Sequence, residues 1–247
     1  MKKYLLFMCA MLMILCLATA GSAESLTYLI ANPTFDYPGL ITGDYTKAFG
    51  TWAFDQAGNP VPGWNVVPQA GSPAAYAGIW NESGSTGDGI GYMHPDPGAY
   101  SLFSQWLPVT ISLGTTYTLS ADIRARDLYG AVPSDGTWYL QFYALAPDYS
   151  SQPWITQNYG NPSIGTFTTE SASWTADTYA GWTLGIALVG VNNVPSREDT
   201  WQNARNFQFN FDNVQLDASA VPEPATMFLL GFGLIGMGIF VRRTFKR

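Results

Sequence analysis

The stretch TTYTLSADIRAR, Thr115 to Arg126, decides the fold class. Tyr117, Leu119, Ala121, Ile123 and Ala125 fall on one side of it, and Thr118, Ser120, Asp122, Arg124 and Arg126 on the other. A period of two with one apolar side is a strand that is dry on one face and wet on the other. Further runs carry related patterns. TWYLQFYAL, Thr137 to Leu145, is aromatic on both sides, which predicts a strand covered on both faces or bearing a binding face. WTLGIALVGV, Trp182 to Val191, is a continuous apolar run of strand length. In FQFNFDNVQL, Phe207, Phe209 and Phe211 share a side while Val214 and Leu216 are out of phase with them, so a bulge is expected near Asp212 and Asn213.

Clusters of Pro, Gly, Asn, Asp and Ser separate these runs: NPVPG, NESGSTGDG, HPDPG, VPSDG and NYGNPS. Many strands with such punctuation, and no fixed-period repeat, predict one all-β domain, a β-sandwich. The segment from Pro38 to Gly89 is expected to supply further strands and long loops.

The two ends lie outside this domain. MKKYLLFMCAMLMILCLATAGSAES opens with Lys2 and Lys3, continues with an apolar core from Tyr4 to Leu17, and ends in small residues. That order is a secretory signal peptide, with cleavage expected after Ala23. An uncleaved anchor would need a longer apolar core. Leu15 before Cys16 does not suit lipoprotein processing. Cys9 and Cys16 are the only cysteines, so the exported body has no disulfide and depends on its core. The expected divisions are 1–23, 24–220 and 221–247.

Charge separates body from ends. The chain has 11 Lys and Arg, 18 Asp and Glu, and net charge −7. Six of the bases lie in the ends, leaving Lys47, Arg124, Arg126, Arg197 and Arg205 in the body. Of the acids only Glu223 lies outside it, so the body is near −12. Nucleic acid and anionic lipid are poor partners for such a surface, and divalent cations are plausible ones.

The C-terminus reads VPEPATMFLLGFGLIGMGIFVRRTFKR, Val221 to Arg247. Ala225 to Val241 is apolar or glycine throughout and would span about 25 Å as a helix, enough for a thin bilayer. Pro222 and Pro224 set where that helix begins, and Arg242, Arg243, Lys246 and Arg247 hold its end in the cytoplasm. GFGLIG, Gly231 to Gly236, matches the dinucleotide fingerprint G-x-G-x-x-G. It has no flanking strand and lies inside the apolar span, so no nucleotide is expected. Val-Pro-Glu-Pro, an apolar span and an Arg-rich end, in that order, resemble the PEP-CTERM sorting signal. The resemblance implies an exosortase that recognises Pro222, Glu223 and Pro224 and cleaves near them, with Arg242 and Arg243 as the stop-transfer charge. It implies passage through the inner membrane to the cell surface or exopolysaccharide matrix of a Gram-negative bacterium. A plain single-pass anchor is the alternative.

The body resembles jelly-roll carbohydrate-binding modules. LIANPTFDYP, PGWNV, QWLPVTISLGTTYTLSADIRAR and FDNVQL stand in the order of those modules' opening, middle and closing strands. The resemblance implies a calcium ion between first and last strands, with Asp36 and Asp212 at the matching places. The alternative is that both are turn residues bonding their own backbone. It also implies glycan contacts through aromatic rings, and Trp80, Tyr92, Trp106, Tyr129, Trp138, Tyr143 and Trp154 are the candidates. Trp64 and Trp182 are expected in the core.

Catalytic signals are weak. His94, in YMHPDPG, is the only histidine and reads as a turn residue at the surface. No cysteine or second histidine is available for a metal triad, and no G-x-S-x-G elbow occurs. Glu82, Asp88, Asp96, Glu170, Glu198 and Asp199 are glycosidase candidates only by being acidic. Asn81-Glu82-Ser83 is formally a glycosylation sequon. The reading is an exported, non-enzymatic, glycan-associated protein. The alternatives are an adhesive or structural matrix protein without saccharide affinity, and a carbohydrate-active enzyme.

Overall fold

The structure is a computed structural model that describes residues 23–36, 48–49, 61–68, 76–81, 89–95, 98–126, 132–194 and 207–220. The expected signal peptide and the C-terminal tail lie outside the described residues. Among the described residues no helix is long and apolar enough to cross a membrane.

The described residues form twelve strands: β1 (Glu24–Ser25), β2 (Ala48–Phe49), β3 (Asn65–Pro68), β4 (Tyr76–Trp80), β5 (Ile90–His94), β6 (Tyr100–Thr110), β7 (Thr115–Ala125), β8 (Gly136–Leu145), β9 (Trp154–Gly160), β10 (Thr168–Thr175), β11 (Thr183–Asn192) and β12 (Phe209–Ala220). One sheet has the order β10-β7-β12-β5-β4-β2, with β1 also paired to β12, and the other has the order β3-β6-β11-β8-β9. All these pairs are antiparallel. The two sheets enclose one apolar core, so the expected β-sandwich is the fold.

Alternation does what period two requires. On β7, Tyr117, Leu119, Ala121, Ile123 and Ala125 are buried and the residues between them are partly open. On β8, Trp138, Leu140, Phe142 and Ala144 enter the core, while Tyr139, Gln141 and Tyr143 point away from it.

The expected bulge is present on β12. Its register with β7 shifts between Asp212 and Gln215, and Asn213 has φ +48°. The extra residue lets Phe209 and Phe211 before it, and Val214 and Leu216 after it, all reach the core. Asn tolerates the left-handed conformation better than most residues. Its amide also donates to Asp122 Oδ2 at 2.9 Å, and Thr169 donates to Asp122 Oδ1 at 2.5 Å. These donors offset the repulsion of Asp122 and Asp212, which sit directly opposite each other.

The bulge also frees the Val214 N–H, which donates to the Pro33 carbonyl at 2.9 Å. That bond docks the first turn, Asn32 to Phe35, on the last strand. Asn32 and Phe35 are both left-handed, and the turn drives Phe35 into the core. There it stacks on Trp64 at 5.3 Å and meets Phe103 at 5.3 Å. Buried Gln105 completes the attachment: its Oε1 accepts from the Ala31 N–H at 2.9 Å and its Nε2 donates to the Ala31 carbonyl at 2.6 Å. Trp64 lies in the core as expected, and Trp182 is partly buried against it.

Candidate functional site: an uncharged aromatic sheet face

Polar and charged residues divide unequally between the sheets. No Asp, Glu, Lys, Arg or His occurs in any strand of the five-stranded sheet. The charged residues of the described strands, Glu24, Asp122, Arg124, Glu170, Asp212 and Asp217, are all in the other sheet. In a body near −12, a whole sheet without charge is a distinct surface.

Its outward face is ordered in rows by the strand register. One row is Trp106, Gly185, Tyr143 and Trp154 across β6, β11, β8 and β9. The next is Ser104, Ala187, Gln141 and Gln157, where Gln141 Nε2 donates to Gln157 Oε1 at 2.6 Å. The third is Leu102, Val189, Tyr139 and Tyr159. A strip of hydroxyl and amide groups therefore runs between two strips of rings. Small residues on β11 leave room for the rings beside them. A Cβ on Gly185 would stand 2.4 Å from the Tyr143 ring.

The rings support one another. Tyr143 is 2% exposed and lies edge-on to Trp106 at 4.3 Å and to Trp154 at 5.4 Å. Its hydroxyl donates to the Gln105 carbonyl at 2.9 Å. Burial pushes the Tyr143 phenol well above its ordinary pKa, and the hydrogen bond with Ser104 offsets only part of that, so the ring stays neutral. Trp154 is 57% and Tyr159 63% exposed, and Tyr139 tilts against Tyr159 at 5.5 Å. Tyr143 is thus a strut, and Trp154, Tyr159 and half-buried Trp106 offer ring surface.

Of the sequence candidates, Trp106, Tyr143 and Trp154 come together on this face. Trp138 does not. It points the other way on β8, into the core, and is 3% exposed. Trp80 and Tyr92 lie outside the core on the opposite sheet. The Arg126 guanidinium covers the Trp80 ring at 4.2 Å, and Tyr92 is 3% exposed, so neither offers a ring face for stacking. Tyr129, Pro222, Glu223, Pro224, Arg242 and Arg243 lie outside the described residues. Sequence reasoning missed Tyr139 and Tyr159. Tyr139 was readable by alternation, since it shares a side with Tyr143; Tyr159 is an odd number of residues from Trp154, and the register irregularity between Phe142 and Tyr143 is what puts both rings on one side.

The opposite sheet holds a second, buried group on its outer side. Tyr92, Asn210 and Arg124 are neighbours across β5, β12 and β7. The side-chain amides of Gln208 and Asn210 meet at 2.9 Å, and both are buried. Arg124 lies over the Phe167 ring at 4.3 Å. His94 belongs to this sheet as well. It ends β5 and is 7% exposed, a buried strand residue and not the surface turn residue its flanking prolines suggest. Asn81 of the sequon is fully buried, which leaves no room for a glycan there.

Asp36 Oδ2 accepts from the Thr34 hydroxyl at 2.8 Å, and Asp212 Oδ1 from the Asn213 N–H at 2.7 Å. Among the described residues no group of three or more His, Cys, Asp or Glu stands where it would hold a metal ion.

Comparison with known proteins places the chain. No curated protein matches it. A carbohydrate-binding module of family 4 shares 17% identity over 76% of this chain and 99% of its own, with a TM-score of 0.42. The family 11 module of Clostridium thermocellum, solved with a mixed-linked tetrasaccharide, shares 14% over 70% and 96%, with a TM-score of 0.41. The xylanase 10B modules of the same organism share 14% over 74% of this chain but only 28% of theirs, with a TM-score of 0.41. The family model described as PEP-CTERM protein-sorting motif matches residues 220–243. The model described as HpiC1 cyclase matches residues 27–217, the whole sandwich, and the chain belongs to that HpiC1-like family.

Proposed function

We propose that this is an exported, non-enzymatic protein that associates with neutral extracellular glycan through the outward face of its five-stranded sheet. The observation that carries the reading is the pairing of ring strips and an amide-hydroxyl strip on a sheet without a single charge. Sugar rings have apolar faces that stack on Trp and Tyr, and hydroxyls that need neutral donors and acceptors. The sorting motif supports export to the cell surface. In this reading an exosortase processes the tail at Pro222, Glu223 and Pro224, and the body passes to the exopolysaccharide of a biofilm matrix.

Retention of the protein on insoluble polysaccharides tests the face. Trp154→Ala is expected to weaken retention by about 2 kcal/mol, roughly 30-fold. Tyr28→Ala, at an exposed ring in the first segment and outside the three rows of this face, is expected to leave retention unchanged. Equal loss in both variants, or no retention of the parent protein on any polysaccharide, would leave the adhesive matrix reading.

Intact mass of protein from the native host tests the address. Material outside the cell should lack the segment beyond the Pro-Glu-Pro region. A full-length mass found only in the membrane fraction would make the tail a permanent anchor.

A structural calcium at Asp36 and Asp212 is a separate proposal. Its support is the Pro33–Val214 bond, which docks the first turn on β12. A fall in melting temperature on chelation is the expected result if the ion is present. An unchanged melting temperature would leave both aspartates as turn residues.

The family favours a second reading, an enzyme of the cyclase kind. Tyr92, Gln208, Asn210 and stacked Arg124 form a buried polar group that would suit a small organic molecule. Small-molecule thermal shifts lost in Asn210→Ala, with polysaccharide retention intact, would support it.

A further inference from the structure

β12 leaves little chain between the sandwich and the sorting motif. It stays paired to β7 through Ala220, opposite Thr115, and the matched motif begins at residue 220. The apolar span starts at Ala225. The five steps from Ala220 to Ala225 reach at most about 18 Å at full extension, and the headgroup layer of one leaflet takes about 5–8 Å of that. The strap is short, and it leaves the body at one end of the sandwich. Three turns stand at that end: 111–114 between β6 and β7, 146–153 between β8 and β9, and 176–182 between β10 and β11. Backbone bonds tie two of them together. The Gly114 N–H donates to the Ala176 carbonyl at 2.8 Å, and the Gly181 N–H to the Ile111 carbonyl at 3.0 Å. The third follows Leu145, which pairs with Thr183 beside the others. Apolar side chains stand out from these turns: Leu113 is 58% and Tyr149 80% exposed. Tyr149 is fixed in the left-handed region at φ +60°, and its N–H donates to the Ala146 carbonyl at 2.9 Å. Asp148 and Asp177 are the charged residues of the three turns, and neither Lys nor Arg occurs in them.

We infer that this end of the sandwich lies on the lipid headgroups for as long as the tail holds the chain in the membrane, with Leu113 and Tyr149 among them, and leaves the bilayer once the tail is cut. The inference rests on the sorting reading above, in which Ala225 to Val241 spans the membrane. The occupant is lipid because the strap is short. Beyond the headgroups it leaves about 10–13 Å. A folded domain of about 100 residues already has a radius of gyration near 13 Å, so no such domain fits beneath the body. A tyrosine suits this depth, since its ring sits at headgroup level and its hydroxyl stays wet. Attraction by itself does not hold the contact. Two side chains bury little apolar area, and Asp148 and Asp177 are repelled by anionic lipid with no Lys or Arg in these turns to offset them. Proximity comes from the strap, so a cut near Pro-Glu-Pro removes the anchor and the contact together.

Fluorescence quenching in phosphatidylcholine vesicles tests the contact. Cys9 and Cys16 leave with the signal peptide, so the exported chain with its tail intact takes one label at an introduced cysteine. Leu113→Cys and Tyr149→Cys place an environment-sensitive dye on the turns. Tyr100→Cys, 44% exposed at the start of β6, places it at the other end of the sandwich. All three positions are exposed, so the fold is not at stake. Lipid spin-labelled at the headgroup is expected to quench the dyes at 113 and 149 several-fold more than the dye at 100. A Gly-Ser linker of about 20 residues inserted after Ala220, about 25 Å long on average, should bring all three to the same low level. Equal quenching at the three positions without the linker overturns the inference. So does quenching at 113 and 149 that persists with the linker, because that end would then bind lipid without the strap. Protection of the dye at 113 in host membranes but not in vesicles would assign this end to the exosortase and overturn the lipid contact. Flotation separates the two claims. A chain that does not float with the vesicles removes the membrane-tail reading and this inference with it. A chain that floats with its three dyes equally quenched keeps the tail reading and removes only the contact.

Discussion

Trp64→Ala is expected to destabilise the folded body by about 3–5 kcal/mol, the range for emptying a fully buried aromatic site. For a domain of this size that is a melting temperature lower by about 10 °C. Three losses combine. The ring stacks on Phe35 and contacts Phe103, so its removal leaves a cavity between the first turn and β6. The Nε1–H donates to the Asn32 carbonyl at 3.0 Å, so that carbonyl loses its donor. Gly63 before it, at φ +82°, lies against Ala31, where a Cβ would stand 2.5 Å from the Ala31 Cβ, so the backbone has little freedom to collapse into the gap. Thermal unfolding followed by near-ultraviolet circular dichroism would measure the shift. A loss below about 1 kcal/mol would mean that the first turn does not close the core as described, since even modest core truncations exceed that.

Gly185→Val is expected to abolish polysaccharide retention while leaving the sandwich folded. The new Cβ would stand 2.4 Å from the Tyr143 ring, which cannot retreat between Trp106 and Trp154. Displacing the ring costs about 1–3 kcal/mol of stability as overpacking. It also unseats both tryptophans, and the loss of two aromatic anchors is worth about 4 kcal/mol of binding, roughly 1000-fold. Gly190→Ala is the contrasting variant on the same strand. Its Cβ would meet Phe209 at 2.5 Å on the core side, so it lowers stability and leaves retention by the folded fraction unchanged. If both variants retain polysaccharide equally, the aromatic face is not the glycan site.

Strand identity was legible because period two is a local property. Thr115 to Ala125 alternates in sequence and alternates in burial. The bulge at Asp212 and Asn213 was legible for the same reason, as a change of phase along one strand. The aromatic candidates were legible only as a composition. Trp138 and Tyr143 lie on one strand, five residues apart, and point to opposite sides of the sheet. Parity separates them, but which parity faces water depends on where the other sheet packs. Tyr159 joins Tyr139, and Trp154 joins Tyr143, through the register of β8 with β9, and a register irregularity between Phe142 and Tyr143 shifts that pairing midway.

The sequence by itself determined that the body is all-β, free of cysteine and acidic, and that a sorting motif follows it. Periodicity, cysteine positions and charge are sums over near neighbours along the chain, and they need no partner to be read. Only the tertiary structure decided that the charged residues of the described strands lie in one sheet and the rings of Trp106, Trp154 and Tyr159 on the other. It also decided that Arg126 covers Trp80. Those facts arise from pairing between residues far apart in sequence. A one-residue change of register would have turned the same side chains to the other face.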